Sequence, residues 1–165
     1  MEKDVKVSII MGSDSDLGVM KEAAEVLKKF GVPCEVKILS AHRSPDEVAK
    51  FAKEARHNGI KVIIAGAGGA AHLAGVVASM TTIPVIGVPM ESQALKGMDS
   101  LLSTVQMPSG VPVATMSIGT PGAKNAGILA CQILAVSDKK LVGKLELYKK
   151  DLKKSVIEKN KNLKI

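Results

Sequence analysis

The stretch KVIIAGAGGAAH, from Lys61 to His72, indicates the fold class of the chain. It begins with a short apolar run, turns through closely spaced glycines and enters a segment of small residues. A short, continuously apolar run is typical of a strand buried on both faces, as strands in parallel sheets are. Glycines directly after a strand let the backbone approach a neighbour or a ligand closely. We therefore interpret the stretch as the strand, the loop and the helix start of one β–α unit.

The same alternation of strand and helix continues on both sides of this unit. Four further strands are predicted, at residues 5–11, 34–39, 84–89 and 112–117. Helices are predicted between and after the strands. The evidence is apolar residues at i, i+3, i+4 and i+7, or an apolar run with turn residues on either side. The predicted helices lie near 20–27, 48–55, 99–106, 121–136 and 138–159. Right-handed crossovers between parallel strands then give a doubly wound α/β sheet, for which we predict the strand order 2-1-3-4-5.

The composition fits one domain, residues 1–165, built around an aliphatic core. Hydrophobic residues make up 46% of the chain but aromatic residues only 2%, so the core must consist of aliphatic side chains and methionine. Cys34 and Cys131 both lie in apolar patterns and are expected to be reduced and buried. No signal-peptide pattern opens the chain, and no apolar run reaches the roughly 18 residues that span a membrane. These features predict a cytoplasmic protein without a membrane partner.

The formal net charge of +7 is concentrated at the C-terminal end. Residues 138–165 hold ten lysines and four acidic residues, whereas residues 1–137 hold thirteen basic and twelve acidic ones. No aromatic platform for stacking bases accompanies the lysines, so a solvated helix face explains them better than nucleic-acid binding. The same helix carries an apolar stripe that must pack on its own subunit or on a neighbouring one, formed by Leu141, Leu145, Tyr148, Leu152 and Val156.

The predicted topology brings three polar loops to one edge of the sheet. Ligands of open parallel sheets bind beyond the carboxyl ends of the strands, where the strand order reverses. Strand 1 lies between strands 2 and 3, so the loops that follow these three strands should be neighbours. They read GSDSD (12–16), SAHRSP (40–45) and GAGGAAH (66–72), and we expect them to form one pocket.

The first two loops carry groups suited to an anionic ligand. Ser13, Ser15 and Asp16 directly precede a helix, and an N-cap accounts for one of them. The others suit a ligand, because hydroxyls and free helix amides bind phosphate and a carboxylate binds sugar hydroxyls. Arg43, in the second loop, is suited to hold an anion.

The third loop allows two interpretations. It matches the dinucleotide-binding pattern G-x-G-x-x-A, but that pattern normally follows the first strand rather than the third. The acidic residue that should follow about 20 positions later has only Glu91 as a candidate. Alternatively, the glycines bring backbone N–H groups close to a ligand carboxylate or carbonyl.

The three histidines differ in their predicted surroundings. His57 falls late in a helix beside Asn58 and Gly59, where a helix C-terminus is a sufficient explanation. His72 opens the small-residue helix, where a core position and a role in the site fit equally well. His42 lies in the loop that faces the predicted pocket, which favours general acid–base catalysis. No metal site is predicted, because no other His, Cys or carboxylate has metal-ligand spacing to His42.

Several of these segments together resemble a known family. MGSDSD, SAHRSP, IIAGAGGAAHLAG, GVPMESQALKGMDSLLSTVQMPSGVPV and NAGILACQIL are similar, in this order, to motifs of the 5-(carboxyamino)imidazole ribonucleotide mutases of de novo purine synthesis. The resemblance extends from about Val5 to Asp138. It implies a flavodoxin-like three-layer α/β/α fold and a homo-octamer with sites at subunit junctions. It also implies that a carboxylate moves from the exocyclic nitrogen of the substrate to ring C4, without metal or organic cofactor.

The resemblance implies roles for individual residues as well. His42 would be the proton-transfer residue. The ribose phosphate would be bound by residues of the first two loops, Ser13, Ser15, Asp16, Ser40 and Arg43. The carboxylate or carbon dioxide would be held by the third loop, with His72 close to the backbone of Gly68, Gly69, Ala70 and Ala71.

Two other functions stay open at the level of sequence. A sister class carboxylates aminoimidazole ribonucleotide directly with carbon dioxide. That class has Lys after the histidine and a bulkier third loop, whereas this chain has Arg43 and the small GGAAH run, which favours the mutase. The other alternative is a nucleotide- or flavin-binding module without catalysis. The near absence of aromatic residues disfavours it, since flavin binders commonly stack on aromatic rings.

Overall fold

The computed structural model describes residues 5–163 as a parallel sheet with helices on both faces. The strands are β1 (Val7–Met11), β2 (Cys34–Ile38), β3 (Val62–Ala67), β4 (Val85–Pro89) and β5 (Ala114–Thr115). The helices are α1 (Leu17–Phe30), α2 (Pro45–Glu54), α3 (Leu73–Met80), α4 (Met98–Val105), α5 (Thr120–Ala135) and α6 (Lys139–Lys161). A short 3-10 turn, Asp14–Asp16, leads from β1 into α1.

The strand order is β2-β1-β3-β4-β5, and all neighbouring pairs are parallel. Ile9 of β1 lies opposite Ile64 of β3, which in turn lies opposite Ile86 of β4. The predicted flavodoxin-like α/β sheet and its order are therefore confirmed. The carboxyl ends of β1, β2 and β3 lie side by side, which places their three exit loops together.

Alternation along the central strands divides the core into two layers. Val7, Ile9 and Met11 of β1 point to one face, where they pack with α1, α5 and the start of α6. Ile10 points to the other face and packs with α2 and α3. Because both faces are covered, β1 and β4 are buried along their whole length, as strands of a parallel sheet are.

Helices α1 and α5 pack at short range through small residues. A Cβ placed on Gly127 of α5 would lie 2.9 Å from Val26 Cβ and 3.0 Å from the carbonyl oxygen of Ala23. Ala23, Ala126 and Ala130 are fully buried at the same contact. The position of α5 over the sheet therefore depends on the absence of a side chain at residue 127.

Two predicted boundaries differ from the structure. The fifth strand is only Ala114–Thr115 rather than 112–117, in part because Pro112 has no N–H to donate to the sheet. Helix α2 ends at Glu54, so His57 lies in the turn after the helix and not within it. Gly59 closes this turn with a φ of +83°, a conformation that glycine adopts at little cost.

Helix α6 begins at a well-formed cap and ends in an exposed stretch. The Asp138 carboxylate accepts hydrogen bonds from the backbone N–H groups of Lys140 (2.9 Å) and Leu141 (3.2 Å). The first half of the helix packs on the core, where the Tyr148 ring meets the Phe30 ring edge to face at 5.6 Å. Every residue from 151 to 163 is exposed. Within residues 5–163, no helix combines the length and apolar content needed to cross a bilayer.

The predicted apolar stripe of α6 is therefore divided between two environments. Leu141 is buried, and Leu145 and Tyr148 pack against the core of their own chain. Leu152 and Val156 are 45% and 66% exposed. The structure accounts for the first half of the stripe within one chain and leaves the second half uncovered.

Candidate active site

A cleft with a volume of about 530 Å³ opens at the carboxyl ends of β1, β2 and β3. The three predicted loops form its walls, and the exit of β4 adds Met90 and Glu91. The residues predicted for the site that line it are Ser13, Ser15, Asp16, Ser40, His42, Arg43, Gly68, Ala70 and His72. Gly69 and Ala71 belong to the same loop but do not line the cleft, and the Ala71 side chain is buried behind it.

The first loop is held by hydrogen bonds among its own residues. The Ser13 hydroxyl accepts a bond from the Ser15 N–H (3.3 Å), which caps the 3-10 turn. The Ser15 hydroxyl donates to the Asp16 carboxylate (3.3 Å). Asp16 stands at the N-cap position of α1 but makes no capping bond there, so capping explains Ser13 and not Asp16.

The environment of Asp16 disfavours its charged form. Burial raises the pKa of the Asp16 carboxyl above its ordinary value, although the Ser15 hydroxyl, the Ser13 backbone and the Arg43 charge oppose this effect. A carboxylate that loses hydration on folding binds a polar partner more readily than one in open water. Asp16 is therefore suited to accept hydrogen bonds from ligand hydroxyls.

The second loop fixes Arg43 across the exit of β1. The Ser40 hydroxyl accepts bonds from the Arg43 backbone N–H (3.2 Å) and from Arg43 Nε (3.1 Å). Arg43 Nη2 donates to the carbonyl oxygen of Gly12 (2.5 Å), so the guanidinium joins the first two loops. A guanidinium held in this way presents its remaining N–H groups in a fixed direction, which suits a phosphate.

His42 and His72 form a hydrogen-bonded pair across the cleft. His42 Nε2 lies 2.9 Å from His72 Nδ1, and the two rings meet edge to face with centroids 4.9 Å apart. His42 comes from the β2 exit and His72 from the N-cap position of α3, so the pair joins the second and third loops. Both side chains are exposed to the cleft, where they can exchange protons with a ligand.

The third loop takes its shape from one glycine. Gly69 has a φ of +63°, a left-handed conformation that other residues adopt only with strain. Gly68 lies against Met90, because a Cβ at this position would be 3.3 Å from Met90 Cβ. Small residues in this loop therefore leave room between the backbone and the exit of β4.

Sequence reasoning considered Glu91 only as the acidic residue of a dinucleotide pattern and did not place the exit of the fourth strand in the pocket. Met90 and Glu91 directly follow β4, which neighbours β3, so the rule that placed the other loops also predicts a residue of this exit in the site. Within the part of the chain that the structure describes, no three His, Cys, Asp or Glu side chains are grouped closely enough to hold a metal ion.

Comparison with known proteins identifies the family. The family model described as AIR carboxylase matches residues 6–155. The N5-carboxyaminoimidazole ribonucleotide mutase of Pyrococcus horikoshii is 60% identical over 95% of this chain and 88% of that protein. The mutase of the same name from Thermotoga maritima is 57% identical over 96% of this chain and 91% of that protein. The solved structure of Treponema denticola PurE has a TM-score of 0.87 at 32% identity and covers 96% of this chain and 98% of that one. The chain therefore belongs to the AIR carboxylase family.

Proposed function

We propose that this protein is an isomerase that moves the carboxylate of 5-(carboxyamino)imidazole ribonucleotide from the exocyclic nitrogen to ring C4. The product is 5-amino-1-(5-phosphoribosyl)imidazole-4-carboxylate, an intermediate of purine biosynthesis. The observation that carries the proposal is one cleft holding a histidine pair, a fixed guanidinium and a glycine loop. The mutase names of the relatives that are 57–60% identical support it.

The ribonucleotide would be held by the first two loops. Arg43 and the hydroxyls of Ser13 and Ser15 suit the phosphate, and the Asp16 carboxylate suits the ribose hydroxyls. Ser40 acts through Arg43, because its hydroxyl accepts both Arg43 bonds and holds the guanidinium in place. This arrangement directs the imidazole ring towards the histidine pair and the third loop.

The chemical steps balance within the cleft. Breaking the bond between the exocyclic nitrogen and the carboxylate carbon releases carbon dioxide and returns the electron pair to the nitrogen, which takes up a proton. Ring C4 then attacks the carbon dioxide, and the new centre loses its proton to His42. One proton is gained at nitrogen and one is lost at carbon, so no metal, organic cofactor or co-reactant is consumed.

Retention of carbon dioxide is the main demand that this chemistry makes on the protein. Carbon dioxide offers no charge to bind, so close walls and short residence before attack must keep it near C4. Gly68 and Ala70 supply such a wall, since they have no bulky side chains and line the cleft beside His72.

A direct carboxylase is the second candidate function, and the description of the family as AIR carboxylase names this activity. The two are separated by giving the protein carboxyamino-imidazole ribonucleotide labelled with carbon-13 in the carboxylate, in unlabelled bicarbonate buffer. We expect the label at C4 of the product. Unlabelled product, formed equally from aminoimidazole ribonucleotide and bicarbonate, would establish the carboxylase instead. No conversion, together with a yellow purified protein, would establish the flavin-binding module.

We further propose that residues 1–165 form one domain and that the protein acts in the cytoplasm as a homo-oligomer, an octamer by resemblance to the mutases. Two apolar surfaces that are exposed on the single chain support the assembly. One is the second half of α6, and the other includes Leu95 and the outer face of α4 with Met98, Leu102 and Val105. Neither nucleic acid nor membrane is proposed as a partner.

A further inference from the structure

Ser103 of α4 connects this helix to the third loop of the cleft. Its hydroxyl accepts a hydrogen bond from the backbone N–H of Ala71 (3.0 Å) and lies 3.3 Å from the carbonyl oxygen of Gly69. The carbonyls of Asp99 (2.8 Å) and Ser100 (3.2 Å) are alternative acceptors for its single proton. The Ser103 side chain does not line the cleft.

Helix α4 is itself anchored firmly enough to serve as a support. The Ser100 side chain is fully buried, and the carbonyl oxygens of Met90 (2.5 Å) and Gly97 (2.9 Å) are the acceptors within reach of its single hydroxyl proton. The Ser92 hydroxyl donates to the Asp99 carboxylate (2.6 Å), which lowers the pKa of Asp99. The Ser103 bond therefore joins the third loop to a helix that is fixed at the exit of β4.

This bond divides the backbone amides of the third loop into two groups. The N–H of Ala71 is engaged by Ser103, and the N–H of His72 donates to the carbonyl of Ala70 (2.9 Å). Within residues 5–163, the N–H groups of Gly68, Gly69 and Ala70 donate to no protein acceptor. The end of the loop at Ala71 and His72 is thus fixed, whereas the N–H groups of Gly68, Gly69 and Ala70 remain available to a ligand carboxylate.

We propose that Ser103 is a positioning residue for carboxylate transfer, which holds the third loop closed around carbon dioxide and holds the backbone of His72 in place. This inference rests on the proposed mutase function. Without the Ser103 hydroxyl, the N–H of Ala71 would be left buried without a partner and the loop would shift to satisfy it. The wall of the carbon dioxide site would then open, while the groups that hold the ribonucleotide would stay in place.

The first test measures escape of carbon dioxide in a Ser103→Ala variant. We expect its kcat to fall on the order of tenfold, because small displacements at a reacting centre are costly. Its KM should change little. The amount of labelled carbon dioxide released per product formed should rise several-fold above the wild-type value. A Ser103→Thr variant, which keeps the hydroxyl, should restore retention of the label.

The control is Ser79→Ala, because the Ser79 hydroxyl donates only to the carbonyl of Val76 in its own helix (2.7 Å). This variant should match the wild type in kcat and in label retention. If Ser103→Ala retained the label as fully as Ser79→Ala does, the proposal would be overturned.

The second test does not depend on catalysis. Hydrogen–deuterium exchange of the ligand-free protein should be faster in the peptide containing residues 68–72 for Ser103→Ala than for the wild type or Ser79→Ala. Unchanged exchange would overturn the positioning role, whatever the activity. If the wild-type protein failed to convert the substrate, the proposed function would be wrong. The exchange measurement would still decide whether Ser103 holds the loop.

Discussion

The hydrogen bond between His42 and His72 determines how the site can handle a proton. One bond between two ring nitrogens contains one proton, so one ring donates and the other accepts. When His42 takes up a substrate proton on its other nitrogen, its Nε2–H can remain bonded to a neutral His72. A second positive charge would break this bond. The pair therefore suits a reaction that removes one proton and returns one proton per turnover.

Replacing His42 with Asn should abolish most of the turnover without unfolding the protein. We expect kcat to fall by about 10²- to 10⁴-fold, the usual contribution of a general acid–base group. His57→Asn is the matched control, because His57 is exposed in the turn after α2 and lies outside the cleft. Near-normal turnover in a folded His42→Asn protein would show that another group moves the proton.

The raised pKa of Asp16 predicts a dependence of stability on pH. The folded protein binds a proton at Asp16 more readily than the unfolded chain does, because burial disfavours the carboxylate. The ionised Asp16 therefore lowers stability at neutral pH, and this cost disappears as the pH falls through the raised folded pKa towards the ordinary Asp value.

An Asp16→Asn variant should accordingly be more stable than the wild type at neutral pH and bind the ribonucleotide more weakly. Its advantage in the free energy of unfolding should shrink as the pH is lowered. Denaturant titrations at several pH values, with substrate affinity measured in parallel, check both effects. Parallel stability curves for the two proteins would contradict the assignment.

Residues near the strand ends could be placed from sequence, whereas contacts through the long connection could not. Apolar runs and crossover handedness indicate a doubly wound parallel sheet, and with the predicted order 2-1-3-4-5 the three loops were correctly predicted to be neighbours. The distance between His42 and His72 depends on how two loops turn after leaving the sheet, which no periodic pattern encodes. Ser103 comes 32 residues after Ala71, and a serine in an amphipathic helix gives no signal of its distant partner.

At the scale of elements, two helical glycines lie in opposite surroundings: Gly127 in a tight contact between helices and Gly143 in open space. Gly127→Ala should destabilise the protein by about 1–3 kcal/mol, because the new methyl group would press on Val26 and on the backbone of α1. Gly143→Ala in α6 should stabilise it by about 1 kcal/mol, since its surroundings are open and alanine favours helix. Thermal and denaturant unfolding of both variants measures whether their free energies of unfolding change in opposite directions. Equal effects would mean that the α1–α5 contact can relax.

Cys131 tests the burial of the α5 layer by a chemical route, whereas Cys34, also predicted to be buried, is only partly buried. Burial raises the pKa of the Cys131 thiol to about 11, so almost no thiolate is present at neutral pH. We expect Cys131 to resist alkylation in the native protein and to react once the protein is unfolded. Mass spectrometry of peptides after brief alkylation measures this. Rapid native labelling of Cys131 would show that α5 separates readily from the sheet.

At the scale of the whole molecule, the uncovered half of α6 is the surface where we expect a second copy of the chain to pack. Leu152 and Val156 are 45% and 66% exposed, and every described residue of α6 beyond Lys150 is exposed as well. Substituting both residues with Ser should lower the molar mass measured by light scattering. A Lys153→Ser variant, altered at an exposed position of the same helix, should keep the wild-type mass. An unchanged mass in the double variant would contradict a contact between chains at this surface.

Because Tyr148 of α6 contacts Phe30 of α1, the intrinsic fluorescence of the protein depends on whether the C-terminal helix is docked. The chain has one tyrosine and no tryptophan, so its intrinsic fluorescence comes from a single ring at the junction of α6 with α1. Fluorescence during heating therefore follows the detachment of α6, whereas far-ultraviolet circular dichroism follows the sheet and all the helices together. Two spectroscopic melts of one sample can thus separate loss of helix docking from loss of the fold, without an added label.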